Sequence, residues 1–354
     1  SLRFDGKNHL EISLYFFPVN EGLRAQKVDK KQPIFRFQPN RISTYSKNWN
    51  FDIKNKVMVN NIGFVNNQNY YNNNNTLMSV IGDSYVEALM VPFYESVSGL
   101  LSKKSVKNKV YSFAASGAGL SQHLVWAEYA KDKFNSEYFV FVIISNDFFE
   151  SLSNYESSPG FHRFVLNEDN TWDLKLTEYH PSLTRKIFRH SKLAMYLITN
   201  LKIHARLDIP LILGKNDKRI SYVSNFNADV SQKFWQEATR VTNIYLENVE
   251  MFSGADKKKI LFVLDGIRPQ LYNLNLSNQI SDSFWFKIRK YFINEANKKG
   301  FEVIDMQKEF IKAYKLERKK FEFKTDSHWN SVGHKTVANS IENSIVWKSF
   351  IQNK

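Results

Sequence analysis

The chain has 354 residues, 43% of them hydrophobic and 15% aromatic, and 49 Lys and Arg against 35 Asp and Glu give a formal net charge of +14. That length allows one large domain or two small ones around a substantial core, and the absence of cysteine excludes disulfides, thiolate metal sites and a cysteine nucleophile. The basic residues are scattered, and the short runs at 257–259 and 318–320 read as solvated helix ends, so the charge gives no reason to expect nucleic acid as a partner. The eight histidines show no metal-ligand spacing, and neither metal nor cofactor is expected. No apolar run reaches the roughly 18 residues of a membrane span. The chain opens at Ser1 without Met or a signal-like apolar stretch. From this we expect a signal or membrane anchor ahead of it and a periplasmic or otherwise extracytoplasmic location.

Residues 1–76 read as an N-terminal leader. Alternation of Leu10, Ile12, Leu14 and Phe16 predicts a strand over 9–17. Residues 51–64 predict a hairpin or short extended pieces, and 69–75 (NYYNNNN) a polar linker with no means of burying itself. A regular rhythm begins at Leu77. The run 77–81, ending at Gly82, predicts a buried strand, followed by helix through residue 101. A strand over 110–114 and a helix over 121–133 come next. Residues 138–144 (YFVFVII) are apolar at every position, the signature of a strand buried on both faces.

Residues 151–257 break the rhythm. A hairpin over 161–179 turning at Glu168-Asp169-Asn170, and long helices over 183–206 and 229–252, predict an insertion that caps the strand ends. The rhythm resumes with a strand at 260–264, a helix over 281–299 closed by Gly300, and a strand at 301–304. A final helix over 332–347 carries Val332, Val337, Ile341 and Ile345 on one face. Strands alternating with helices predict a parallel sheet covered on both sides. The parts are then 1–76, a first core segment 77–150, the insertion 151–257 and a second core segment 258–354.

Polar and glycine signals sit where such a sheet places a site, at the carboxyl ends of its strands. Gly82-Asp83-Ser84 closes the first strand and opens a helix. Ala115-Ser116-Gly117-Ala118-Gly119 follows the second, where small residues let backbone N–H groups approach a ligand. Ser145-Asn146-Asp147 follows the third, and the Asn146 amide has a donor to offer. Thr325-Asp326-Ser327-His328-Trp329 lies in a loop before the last helix. On extended backbone Asp326 and His328 project to one side, so the carboxylate can orient the imidazole as a general base. Each motif alone also reads as a cap or an ordinary turn. Arg268, after the 260–264 strand, and His123, on the helix after Gly117, are further candidates to border the site. His334 reads as a helix-face residue.

Together, Gly82-Asp83-Ser84, Gly117, Asn146 and Asp326 with His328 resemble the SGNH/GDSL hydrolases over 77–147 and 258–346. The resemblance implies a flavodoxin-like three-layer α/β/α fold. It implies Ser84 as nucleophile, His328 as base, Asp326 as its orienting acid, and an oxyanion hole of the Ser84 and Gly117 N–H groups with the Asn146 side chain. The sequence departs from the usual pattern in two places: Asp precedes His by two residues rather than three, and Ile144 stands where the third block has Gly. The Asp-x-His-Trp run looks like SGNH proteins of polysaccharide O-acetylation, although in the alginate members it precedes the serine. Asn61-Ile62-Gly63-Phe64 is similar to a feature of bacterial polysaccharide-locus members.

The expectation is a serine-dependent O-acyl, chiefly O-acetyl, esterase or transferase on a bacterial polysaccharide. Asp83, Arg268, His123 and Trp329 are expected near the substrate, and a membrane-bound acyl-transfer protein is a candidate partner. The alternatives are a GDSL lipase or thioesterase, and a polysaccharide-binding module with a weak site.

Overall fold

The computed structural model describes residues 18–72, 75–105, 107–202, 230–273, 281 and 283–353. The strand predicted over 9–17 lies outside them. In chain order the elements are β1 (Arg41–Lys47), β2 (Ile53–Val59), β3 (Leu77–Gly82), α1 (Ser84–Glu87), α2 (Val97–Lys104), β4 (Lys109–Ala114), α3 (Leu120–Phe134), β5 (Tyr138–Ile143) and α4 (Asp147–Glu150). Then follow β6 (His162–Leu166), β7 (Trp172–Leu176), α5 (Leu183–Phe188), α6 (Lys192–Met195), α7 (Gln232–Ser253), β8 (Ile260–Leu264) and α8 (Pro269–Tyr272). The chain closes with α9 (Phe284–Lys298), β9 (Glu302–Asp305), α10 (Met306–Glu317), β10 (Glu322–Phe323), β11 (Asp326–Trp329), α11 (Ser331–Glu342) and α12 (Ile345–Gln352).

Five strands form the central sheet in the order β4-β3-β5-β8-β9. Every neighbouring pair in it is parallel. Counted within the sheet this is the 2-1-3-4-5 order of flavodoxin-like folds, whose switch point falls between the first and third strands. Here those are β3 and β5. Period-two alternation divides their side chains between two cores. Ile81, Phe113, Phe139, Phe141 and Phe262 meet α3, α7 and α9 on one face. Met78, Val80, Val140, Val142 and Val263 meet α2, α10, α11 and α12 on the other. This is the three-layer α/β/α architecture expected from the rhythm of the sequence. Among the described residues no helix is long and apolar enough to cross a membrane.

Several expected elements come out differently. The helix predicted from Ser84 through 101 is three pieces. α1 ends after a single turn because Ala88 takes a left-handed φ of 53°. A 3-10 turn, Phe93–Glu95, follows Pro92, and α2 restarts under the Ser96 cap. The last helix is also split, since Ser344 caps a new one with its hydroxyl accepting from the Trp347 N–H. α10 forms where no element was expected, and β11 runs through the stretch read as a loop, paired with β10.

The insertion is only partly a cap. α7 carries Ala238, Val241, Tyr245 and Val249 as a buried stripe in the same core as Phe262 and Phe292. The Tyr245 ring lies 5.9 Å from both Phe141 and Phe262. α7 is therefore a layer helix of the core. Trp172 packs edge-on against Phe164 and Trp235 against Phe284. Part of the predicted 183–206 helix is present as α5 and α6, and 203–229 lie outside the described residues.

The leader is likewise not separate. Phe35, Phe37, Val59, Phe64 and Tyr70 belong to the core cluster that holds Phe113 and Trp126. Tyr70, in the stretch read as a polar linker, is 1% exposed. It stacks on Tyr111 at 3.9 Å, and its hydroxyl donates to the Ser112 carbonyl at 2.8 Å. A ring with one polar handle can be buried once that handle has a partner. We expect Tyr70→Ala to destabilise the protein by about 3 kcal/mol or more. Urea unfolding measures this, and a loss within error would mean that residues 18–72 are not an integral part of the core.

Candidate active site

Ser84 stands directly after β3, at the carboxyl edge of the sheet. The turn needs Gly82, because a Cβ there would come within 2.4 Å of the Val86 side chain. Asp83 caps α1 by accepting from the Tyr85 N–H at 2.9 Å. The Ser84 Oγ lies 2.8 Å from His328 Nε2, and His328 Nδ1 lies 2.5 Å from Asp326 Oδ1. Asp326 on Nδ1 holds the proton there and leaves the Nε2 lone pair facing the serine. The same Asp326 oxygen accepts the His328 N–H at 2.8 Å, which fixes the two residues of β11 to each other. Burial would raise the Asp326 carboxyl. The hydrogen bond and charge of His328 and the Lys47 ammonium outweigh that and hold it well below the usual carboxylate range.

β11 is held from behind. Arg268 forms two bonds to Asp265, at 2.5 and 2.6 Å, and one to Glu322 at 3.1 Å. Its remaining nitrogen donates to the Ser327 carbonyl at 2.7 Å. Trp329 Nε1 donates to Asp265 at 2.9 Å, and the Tyr85 hydroxyl donates to the Ser327 carbonyl at 3.0 Å. Trp329, expected near the substrate, is instead part of the buried frame of the Asp-x-His strand, 0% exposed, while Arg268, 6% exposed, belongs to that frame and also lines the larger cavity. An Arg so placed is satisfied by two carboxylates and a carbonyl and has little left to offer a ligand.

Two other substrate candidates also turn inward. His123 is fully buried, and burial pushes its pKa down to about 3. Asp83 is fully buried beneath the nucleophile, where it accepts from Ser84 Oγ at 3.0 Å. The serine hydroxyl thus has two acceptors, Nε2 and Asp83. His334 is buried too, and its Nδ1 accepts from the Val97 N–H.

Gly117 lies in the loop after β4 with a φ of +89°, a conformation that side-chain-bearing residues avoid. An added Cβ would sit 3.7 Å from Phe161, which opens the insertion hairpin. Glu87 of α1 pins this loop, accepting from the Ser116 N–H at 3.0 Å and the Ser116 hydroxyl at 2.5 Å. Asn146 follows β5, where its amide donates to Glu150 at 2.9 Å and Asp83 at 3.4 Å. As an oxyanion donor that amide would have to exchange a carboxylate for the substrate oxygen.

Sequence reasoning missed Lys47, Glu87 and Glu150, and gave Asp147 no role beyond the Ser145-Asn146-Asp147 run. Of those missed only Glu87, on the same short helix as Ser84, carried a local signal. Oxygens of Asp83, Asp147 and Glu150 lie within 4.8 Å of one another. Burial raises all three pKa values, that of Glu150 to about 8, and it pushes Glu87 up to about 7. The nucleophile therefore stands over carboxyl groups whose charged forms burial disfavours.

Two cavities lie near these elements, and of the triad residues only Asp326 lines one of them, the larger. One of about 600 Å³ is lined by Lys47, Tyr85, Ser145, Trp285, Lys324 and Asp326 among others. A smaller one of about 220 Å³ lies between Leu23, Phe35, Tyr45, Leu89, Glu87 and Ser116.

No protein-family model matches the chain, and no curated protein matches it. Among solved structures it is similar to a member of the lipolytic G-D-S-L family from Veillonella parvula, at 10% identity and a TM-score of 0.37, over 75% of this chain and 96% of that one. It is also similar to an alpha/beta hydrolase from the metagenome of Lake Arreo, at 12% identity and a TM-score of 0.40, over 77% and 95%. A third is a catalytic mutant of an acetylxylan esterase from Geobacillus stearothermophilus, at 8% identity and a TM-score of 0.40, over 80% and 100%. Superpositions this loose transfer no chemistry, and the geometry of the site stands by itself.

The buried acids predict a stability profile. The folded protein keeps a proton on Glu150 up to about pH 8, whereas an exposed glutamate releases it near 4.5. The contribution is full below 4.5 and lost as pH rises through 8. We expect the melting temperature to fall between about pH 4.5 and 8, and Glu150→Gln to reduce that fall. Equal slopes for the two proteins, measured by differential scanning fluorimetry, would contradict the assignment.

Proposed function

We propose that the protein is a serine-dependent O-acyl ester enzyme that works through an acyl-enzyme on Ser84. The observation that carries this reading is the continuous chain from Asp326 through His328 to Ser84, at 2.5 and 2.8 Å. Ser84 Oγ adds to the ester carbonyl while His328 Nε2 takes its proton. Collapse of the tetrahedral intermediate breaks the bond to the alcohol, which leaves with that proton. Water or a second hydroxyl then adds to the acyl-enzyme, with His328 as base again, and frees the serine. Backbone N–H groups of Ser84 and Gly117 are the donors proposed for the oxyanion, each contributing about 3 kcal/mol to the barrier. Asn146 joins them if its amide turns from Glu150.

The acceptor or leaving alcohol is proposed to be a sugar hydroxyl of a bacterial polysaccharide. The larger cavity supports this with Phe323 as an apolar surface and Lys320 and Lys324 as cations suited to an acidic glycan. The acyl group is proposed to be acetyl. The apolar lining of the smaller cavity, beside Ser116, favours a second reading with a longer acyl chain. A series of chromogenic esters separates the two: acetate should be turned over at least tenfold faster than octanoate, and the reverse order would favour the lipase or thioesterase reading.

Ser84→Ala should abolish turnover of a chromogenic acetate with little change in melting temperature, and mass spectrometry should find the acyl adduct on Ser84 of the wild type. Turnover by the Ala variant at the wild-type rate would remove Ser84 from the mechanism. Activity should decline on acidification, because a protonated imidazole cannot accept the serine proton. A rate flat between about pH 5 and 8 would exclude a histidine base.

A further inference from the structure

We propose that Lys47 is a positioning residue for the triad, which makes the β1–β2 hairpin part of the catalytic apparatus. The proposal rests on the reading of Ser84, His328 and Asp326 as a triad. Lys47 is the last residue of β1, and its ammonium meets Asp326 Oδ2. The other oxygen, Oδ1, is occupied by the ring and the backbone N–H of His328. With a partner on each oxygen the carboxylate cannot rotate, and the imidazole it holds keeps its Nε2 on the serine. The Asp326 side chain is 1% exposed and Lys47 24%. A carboxylate that deep needs a cation or several donors on both oxygens.

The hairpin is tied to the acid–base strand at a second point. Asn48 Nδ2 donates to Thr325 Oγ1 at 2.9 Å, and that hydroxyl donates to Asp52 at 3.0 Å. Both residues belong to the turn between β1 and β2. Asn200 backs the turn by donating to Ser46 Oγ at 2.9 Å and to the Asn48 carbonyl at 3.3 Å. The turn therefore clamps the residue before Asp326, while Lys47 clamps Asp326 itself.

The charges around His328 give Lys47 an effect on the chemistry that packing alone would not. Asp326 faces the ring from β11, and Asp83 acts on it from the start of α1. The Tyr85 ring lies 4.7 Å away, and His334 acts from α11. Tyr45 of β1 is close enough to feel both Asp326 and Glu87. Arg268, behind the strand, is neutralised by Asp265 and Glu322. Lys47 is thus a cation that offsets the Asp326 charge facing the imidazole.

The test is the pH profile of kcat/KM on a small chromogenic ester for wild type, Lys47→Met and Lys47→Arg. For Lys47→Met we expect a loss of roughly tenfold or more as Asp326 is released. Its acid limb should move to higher pH by about half a unit or more. Lys47→Arg should return the limb to the wild-type position. Should the Met variant not fold, Lys47→Gln takes its place with the same expected shift. A profile for the neutral variant that superimposes on wild type overturns the proposal. Trapping with an alkyl phosphonate keeps the two readings apart. If wild-type Ser84 is not labelled, the triad reading fails. If it is labelled and the neutral variant behaves as wild type, only the role of Lys47 fails.

Discussion

A carboxylate with 1% of its side chain exposed organises this molecule's candidate site. Asp326 is taken out of water and so must find its hydrogen bonds and countercharge in the protein. It draws on three parts of the chain. His328 lies two residues on in the same strand, Lys47 arrives from the N-terminal hairpin, and the Arg268–Asp265–Trp329 frame holds the strand itself. A change in any of these is felt at the serine, because Nε2 can face Oγ only while Asp326 fixes the ring.

The electrostatics beneath the serine run opposite to those of the whole chain. The protein carries a formal charge of +14, yet Asp83, Glu87 and Asp147, all buried, and the half-buried Glu150 gather close to Ser84. Low dielectric and mutual repulsion raise the pKa of such groups. These groups tie the loops after β3, β4 and β5 together through Ser116 and Asn146. Those loops supply the nucleophile and the proposed oxyanion donors, so the acids fix their mutual geometry without touching a substrate.

The sheet was legible because its strands are buried on both faces. Nothing but a continuous apolar run suits that environment, and 138–144 shows it plainly. The helix breaks were not legible. Ending α1 after one turn depends on a left-handed Ala88, and alanine is otherwise a good helix former. α7 was assigned to a cap because it follows a hairpin in sequence, whereas its Ala238–Val241–Tyr245–Val249 stripe packs into the core. Tyr70 was hidden among asparagines, and only its stacking on Tyr111 reveals it as core.

For the site, sequence alone determined the pieces whose chemistry is local. Gly82-Asp83-Ser84 at a strand end and Asp326-x-His328 on an extended segment each announce themselves by spacing, and the parallel rhythm places the first at the carboxyl rim of the sheet. Tertiary structure decided what lies far apart in sequence. The Lys47–Asp326 pair joins residues separated by 279 positions, and nothing local to either marks it. His123, Asp83 and Trp329 looked available to a substrate as residue types, and burial assigned them to the interior. Spacing along a strand or helix is dictated by backbone geometry and can be read from one segment. Burial and pairing arise from segments meeting, and they exist only once the chain has folded.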